Sequence, residues 1–174
     1  MEPESRWMEE ALALAREALG AGEFPVGAVL VSRGRVVGRG MRRRSGHFAG
    51  GELDHAEVVA LREWARLAQG GPPPGDLTLY TTLEPCLMCL AAAILSGVRT
   101  IVYGYEDVMG GACGLDLAAV RSRRHRPSGL YRGCRVVGGV MRRESLALFK
   151  EFFSGGAGDY WQGSLLCRYT LKAQ

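Results

Sequence analysis

The chain has no asparagine, no apolar run approaching the length of a membrane span, and no linker long enough to divide its 174 residues into separate units. Without a span there is no expectation of insertion into a bilayer. The first ten residues, MEPESRWMEE, are too acidic for a signal peptide, so the cytoplasm is the expected compartment. Cysteine is scarce and odd in number, five in all, which suits a reducing compartment better than a disulfide framework. Net charge is also modest, at +4, yet the arginines gather in two runs: Arg42, Arg43 and Arg44, then Arg121, Arg123, Arg124 and Arg126. Such runs are ordinarily solvated surface and less often a phosphate-binding face.

What is present fits one substantial core, with 47% hydrophobic residues in a chain too short for two ordinary domains. Trp7 to Leu19 has helical spacing and stops at Gly20. Phe24 to Val31 reads as a strand that Arg33-Gly34 turns into a second, Val36 to Arg39, as an antiparallel hairpin. Met41 to Asp54 is polar and glycine-rich and reads as a loop. A helix starts near His55, and Gly70 to Asp76, with three prolines, leads from it to a strand at Leu77 to Thr82. A helix at Leu87 to Leu95 follows, then a strand at Thr100 to Tyr105, a short helix at Leu115 to Val120, a fifth strand at Cys134 to Val140 and a helix at Glu144 to Phe153. Alternation of strand and helix from residue 77 onward predicts parallel strands with helices on both faces.

His55-Ala56-Glu57 opens one apolar helical stretch, and Pro85-Cys86, with Cys89 three residues on, opens another. Residues three apart share a helix face, so the two sulfurs converge, and the exposed N–H groups of a helix start favour thiolates. Proline suits the first helical position, where a missing N–H costs nothing. Residues two apart do not face each other within a helix, which places His55 at the cap. One imidazole and two thiolates give Zn²⁺ three protein ligands and leave its fourth position open for water, as in catalytic sites. Glu57 is placed to take that water's proton.

Other readings of the same residues are weaker. A structural zinc needs a fourth ligand, for which Cys113, Cys134, Cys167, His47 and His125 are the candidates, and it leaves Glu57 without a task. A redox pair of Cys86 and Cys89 makes His55 and Glu57 coincidental. Glu84 in Thr82-Leu83-Glu84-Pro85-Cys86 is better suited to accepting backbone hydrogen bonds that hold the loop than to acting as the base.

The H-x-E and P-C-x-x-C pair is the signature of zinc deaminases, and at these residues the chain resembles the cytidine and deoxycytidylate deaminase superfamily. Glu23 to Val31 is very like the first strand of bacterial tRNA adenosine deaminases, and Asp107 to Gly114 is similar to their loop after the fourth strand; the resemblance covers roughly residues 7 to 153. It implies a three-layer αβα fold with a five-stranded mixed sheet, Zn²⁺ on His55, Cys86 and Cys89, Glu57 as general base and acid, and hydrolysis of an exocyclic amino group to a carbonyl with release of ammonia. It also implies substrate contacts near Leu83, Glu84 and Pro85, and a homodimer formed through the Leu87 to Leu95 helix.

Three departures bear on substrate. Arg42 or a neighbour stands where the family has an asparagine, Gly50 to Asp54 replaces the family's approach to the metal histidine, and the segment from Gly155 to Gln174 adds Tyr160, Trp161 and Tyr169. Residues 1–154 are therefore expected to form the deaminase domain, with 155–174 an aromatic tail of the same domain. Trp161 in that tail suits a lid over the pocket, and Asp54 suits either a substrate amine or a helix cap. On this basis a small nucleobase or nucleoside is the favoured substrate, with tRNA the alternative that the arginine runs support. A non-catalytic zinc or nucleic-acid-binding module is the further alternative.

Overall fold

A computed structural model describes residues 3–45, 51–68, 76–115, 134–155 and 161–174. Helix α1 (Pro3–Gly20) leads into β1 (Gly27–Ser32) and β2 (Arg35–Met41), which pair antiparallel. Their two-residue turn has both central residues left-handed, Arg33 at φ 49° and Gly34 at φ 69°, the geometry that matches the strands' own twist. Helix α2 (Ala56–Leu67), β3 (Leu77–Leu83), α3 (Leu87–Leu95), β4 (Val98–Tyr105), β5 (Arg135–Gly138), α4 (Arg142–Ser154) and α5 (Leu165–Lys172) follow. The sheet order is β2-β1-β3-β4-β5; β1 runs antiparallel to both neighbours, while β3–β4 and β4–β5 are parallel. This is the expected five-stranded mixed sheet.

The pleat sorts side chains to two faces. Leu30, Leu79 and Ile101 meet Ala60 and Leu61 of α2 and Leu90 and Ala93 of α3, while Val29, Tyr80 and Val102 meet Met8 and Leu12 of α1 and Leu148 of α4. Gly40 sets how closely α2 approaches: a Cβ there would lie 2.0 Å from the Ala56 carbonyl oxygen, so only glycine lets the first turn of α2 rest on β2. That contact fixes the end of α2 that carries His55 and Glu57.

The antiparallel hairpin and parallel crossovers bring the ends of β2, β3 and β4 and the start of β1 to one edge of the sheet, where the loops before α2 and α3 lie. Thr82 Oγ1 locks this edge, accepting from the Gly27 N–H (3.2 Å) and donating to the Pro25 carbonyl (3.4 Å). Glu23 fastens the chain leaving β2 by accepting from the N–H groups of Arg44 and Ser45, each at 2.7 Å. Burial raises the Glu23 pKa, but these bonds outweigh it and the net shift is downward.

Two sequence expectations need amendment. Residues 165–172 form a helix that periodicity did not reveal, capped by Ser164, whose Oγ accepts from the Cys167 N–H at 3.1 Å. Pro85 lies outside α3, because Cys86 is the N-cap; its carbonyl instead accepts from the Ala112 N–H at 3.0 Å. The expected helix at Leu115 to Val120 lies outside the described residues beyond Leu115, as do Tyr160, His47, His125 and the second arginine run. Among the described residues no helix is long and apolar enough to cross a membrane.

Candidate active site

His55 is the N-cap of α2 and Cys86 the N-cap of α3, both with extended backbone and neither using its side chain to cap its helix. Freed from capping, the two side chains turn toward each other across the gap between the helix starts. His55 Nδ1 lies 3.6 Å from Cys86 Sγ and 3.4 Å from Cys89 Sγ. Tetrahedral zinc, with Zn–S near 2.3 Å and Zn–N near 2.0 Å, holds such donors about 3.5 Å apart. The residues present therefore fit the ion in type and spacing. Among the described residues no further His, Cys, Asp or Glu joins this group, which leaves a tetrahedral site with one open position.

The electrostatics favour metal binding. The Cys86 thiol is pulled down to about 4, chiefly by the hydrogen bond it accepts from Cys89, with His55 helping and burial opposing. Cys89 is pushed up, chiefly by its hydrogen bond with Cys86 and by burial. Burial lowers the His55 pKa, but Cys86 and Glu57 outweigh it and the net shift is upward; Arg42 acts on His55 in the opposite sense. Cys113 is raised to about 12 by burial and by the Glu84 carboxylate, the environment of a thiol that keeps its proton.

Glu57, in the first turn of α2, is only 4% exposed. Burial raises its pKa, and His55, Cys86 and Cys89 all act on it, which places a desolvated carboxylate beside the three donors. It makes no salt bridge to a described residue.

The remaining expected site residues surround this centre. Glu84 accepts from the N–H groups of Asp107 (3.2 Å) and Cys113 (3.0 Å), so its carboxylate pins the loop after β4 beside the Cys86 cap. Gly111 in that loop pairs with Cys86, and a Cβ on it would meet the Glu84 carboxyl carbon at 2.5 Å. Sequence reasoning missed Gly111; its position in the glycine pair after Met109 was the available signal. Leu83 and Pro85 are buried at the end of β3. Arg42 is 4% exposed and reaches Ser45 Oγ (3.4 Å), the Glu52 carbonyl (3.5 Å) and the Glu52 carboxylate (3.3 Å). Asp54 pairs with Arg62 at 2.8 Å, and His55 takes the cap position. Trp161 stacks on Phe24, centroids 4.3 Å apart and planes 8° from parallel.

The sequence profile of the cytidine and deoxycytidylate deaminase zinc-binding region matches residues 1–105. The chain belongs to that family. It carries a zinc-binding deaminase domain, and His55, Cys86 and Cys89 form its potential metal site. It is 33% identical to a tRNA-specific adenosine deaminase of Bacillus subtilis, over 88% of this chain and 90% of that protein. It is 43% identical to a tRNA(Ile)-lysidine synthase of Deinococcus radiodurans over 84% of this chain, and spans only 24% of that protein. Among solved structures, one from work on A-to-I editing by tRNA:A34 deaminases at the wobble position superposes with a TM-score of 0.67 at 34% identity, covering 82% of this chain and 98% of the other. The five-stranded mixed sheet with its helices matches this deaminase structure.

Proposed function

We propose that this chain hydrolytically deaminates an adenosine presented in a tRNA loop, with His55, Cys86 and Cys89 holding zinc and Glu57 moving the protons. The observation that carries the reaction type is a buried carboxylate beside three metal donors with no fourth protein ligand among the described residues. Zinc, when bound, supplies Lewis acidity toward water. Burial raises the Glu57 pKa, which suits the carboxylate to take a proton and pass it on, first to a ring nitrogen and then to the departing amine. Water adds, ammonia leaves, and C–NH₂ becomes C=O. Leu83 and Pro85 border the base, Glu84 holds the adjoining loop, and Arg42 supplies positive charge on the side of His55.

The tRNA reading is supported by the Bacillus subtilis relative and the A34 deaminase structure, whose names both concern tRNA. The small-substrate reading leaned on the tail as a lid. Trp161 on Phe24, and Thr170 bonded to Tyr105 Oη at 3.1 Å, support packing instead. The tail is thus proposed as part of the same domain. Helix α3 leaves Leu87 and Leu95 more than half exposed, with exposed Ala91 between them on one stripe, which supports a homodimer.

The test is inosine formation by zinc-loaded protein on tRNA transcripts, set beside ammonia release from free bases and nucleosides. Inosine in tRNA, abolished by Glu57→Gln, is the expected result. Turnover of free bases alone would return the substrate reading to a small molecule.

A further inference from the structure

The run Arg42 to Arg44 does not act as a unit. Arg42 turns inward to Ser45 and Glu52. Arg44 takes left-handed backbone at φ 57° and gives its N–H to Glu23. Arg43 instead lines a groove of about 330 Å³ on the outer side of α2, together with Asp54, Val59, Arg62, Glu63 and Arg66. Arg62 and Arg66 are four residues apart on α2 and so share a face. Both acids in the groove are already engaged: Asp54 by Arg62 at 2.8 Å, and Glu63 by the backbone N–H of Arg39. Arg43 and Arg66 are exposed and have no ion-pair partner among the described residues.

The groove begins at Asp54, next to His55, and Arg66 lies about 16 Å along the helix from that histidine. Among the described residues Val59 is the one apolar side chain in the lining, and three of the other five are arginines. Exposed guanidinium groups without partners, beside acids already engaged, match anions, and their forks match phosphate oxygens in particular. A line of such groups leading away from a nucleotide-modifying centre suits a sugar-phosphate chain.

We infer that this groove binds backbone phosphates of the RNA strand flanking the nucleotide in the zinc site, with Arg43 and Arg66 as the phosphate ligands and Arg62, tethered by Asp54, as the fixed post beside them. This inference rests on the RNA reading above. The contacts are to phosphate and therefore independent of base identity.

The experiment measures the affinity of zinc-loaded protein for a short RNA stem-loop with adenosine in its loop, across a salt series, and for the same stem-loop with that adenosine replaced by guanosine. Arg43→Ala and Arg66→Ala should each lower the slope of log K against log salt by about 0.7, the value for one single-strand phosphate contact. Each should weaken binding about tenfold, on both RNAs alike, with zinc content and melting temperature at the wild-type values. Arg16→Ala, on the exposed side of α1, removes the same charge elsewhere and should leave the slope unchanged. Wild-type slopes in Arg43→Ala, Arg66→Ala and the double variant would overturn the proposal. So would a change of oligomeric size in Arg66→Ala without a change of slope, which would assign the groove to a protein contact, and so would failure of the wild type to bind either RNA. If the wild type binds with the groove-dependent slope but forms no inosine, the phosphate site stands and the adenosine reading falls.

Discussion

Glu57 carries both proton transfers in the proposed reaction, yet it binds no metal, so metal content and turnover should separate when it changes. Glu57→Gln is expected to retain about one zinc per chain and to lose at least about 100-fold in turnover; undiminished turnover would place the base elsewhere. Cys86→Ala should do the reverse of separating them. The thiolate it removes would tie the starts of α2 and α3 together through the ion, so zinc and melting temperature should fall together. Metal analysis and a thermal melt on the same preparation read both, and full zinc occupancy after Cys86→Ala and Cys89→Ala combined would sink the ligand assignment.

At the level of elements, the loop after β4 is held to the α3 cap by one carboxylate. Gly111→Ala should force the Glu84 carboxylate aside, and overpacking of this kind costs about 1–3 kcal/mol. Removing the carboxylate with Glu84→Ala sacrifices the bonds to Asp107 and Cys113 but relieves the Glu84 part of the clash, leaving the approach to the Asp107 carbonyl oxygen, also at 2.5 Å. The double variant should therefore be less destabilised than the two single costs added together. Strict additivity in denaturant unfolding would mean the contact is absent. The C-terminal helix has a comparable clamp: Glu106 accepts from Arg142 Nε (2.8 Å) and Tyr169 Oη (2.9 Å), and Arg142 also lies over the Tyr105 ring. Arg142 holds the Glu106 carboxyl below its usual range, against a smaller opposing effect of burial. Because the folded value is depressed, the clamp's contribution is complete above the ordinary carboxylate pKa, about 4.3, and is lost as pH falls through the lower folded value. Both side chains are roughly 30% exposed, 28% and 31%, so the contribution is at most about 1 kcal/mol. Glu106→Gln should thus melt up to about 2–4 °C lower at neutral pH, with the gap closing below pH 4. A gap that persists in acid would remove the charge from the account.

For the whole molecule, two outcomes follow from where apolar surface is spent. Leu166 and Thr170 of α5 are buried and Trp161 covers Phe24, so deleting residues 155–174 should lower the melting temperature and leave KM and kcat of the surviving folded fraction unchanged. A raised KM with unchanged stability would revive the lid. The α3 stripe of Leu87, Ala91 and Leu95 leaves apolar surface uncovered, and a second copy is the proposed cover. Leu95→Glu should shift light scattering from dimer to monomer at micromolar concentration. A wild-type monomer under those conditions would count against the assembly.

The sequence alone determined the donor set of the potential metal site, the residue proposed as proton carrier and the order of the described strands and helices as far as α4. These depend on local rules: His55 and Cys86 each sit where a helix begins, Glu57 and Cys89 lie within a turn of them, and period and turn chemistry mark the elements. The tertiary structure decided what depends on distance through space. It separated three consecutive arginines into a buried group, a backbone tie and a groove ligand, because in irregular chain each residue's own backbone angles aim its side chain. It brought Arg43 beside Arg62 and Arg66, and Glu84 to a loop more than twenty residues away. It also turned an aromatic tail into a packed helix, since Trp161 finds Phe24 only once β1 and α4 have placed that ring. No period in the chain encodes such meetings, because they arise where separate elements are packed by burial of their apolar faces.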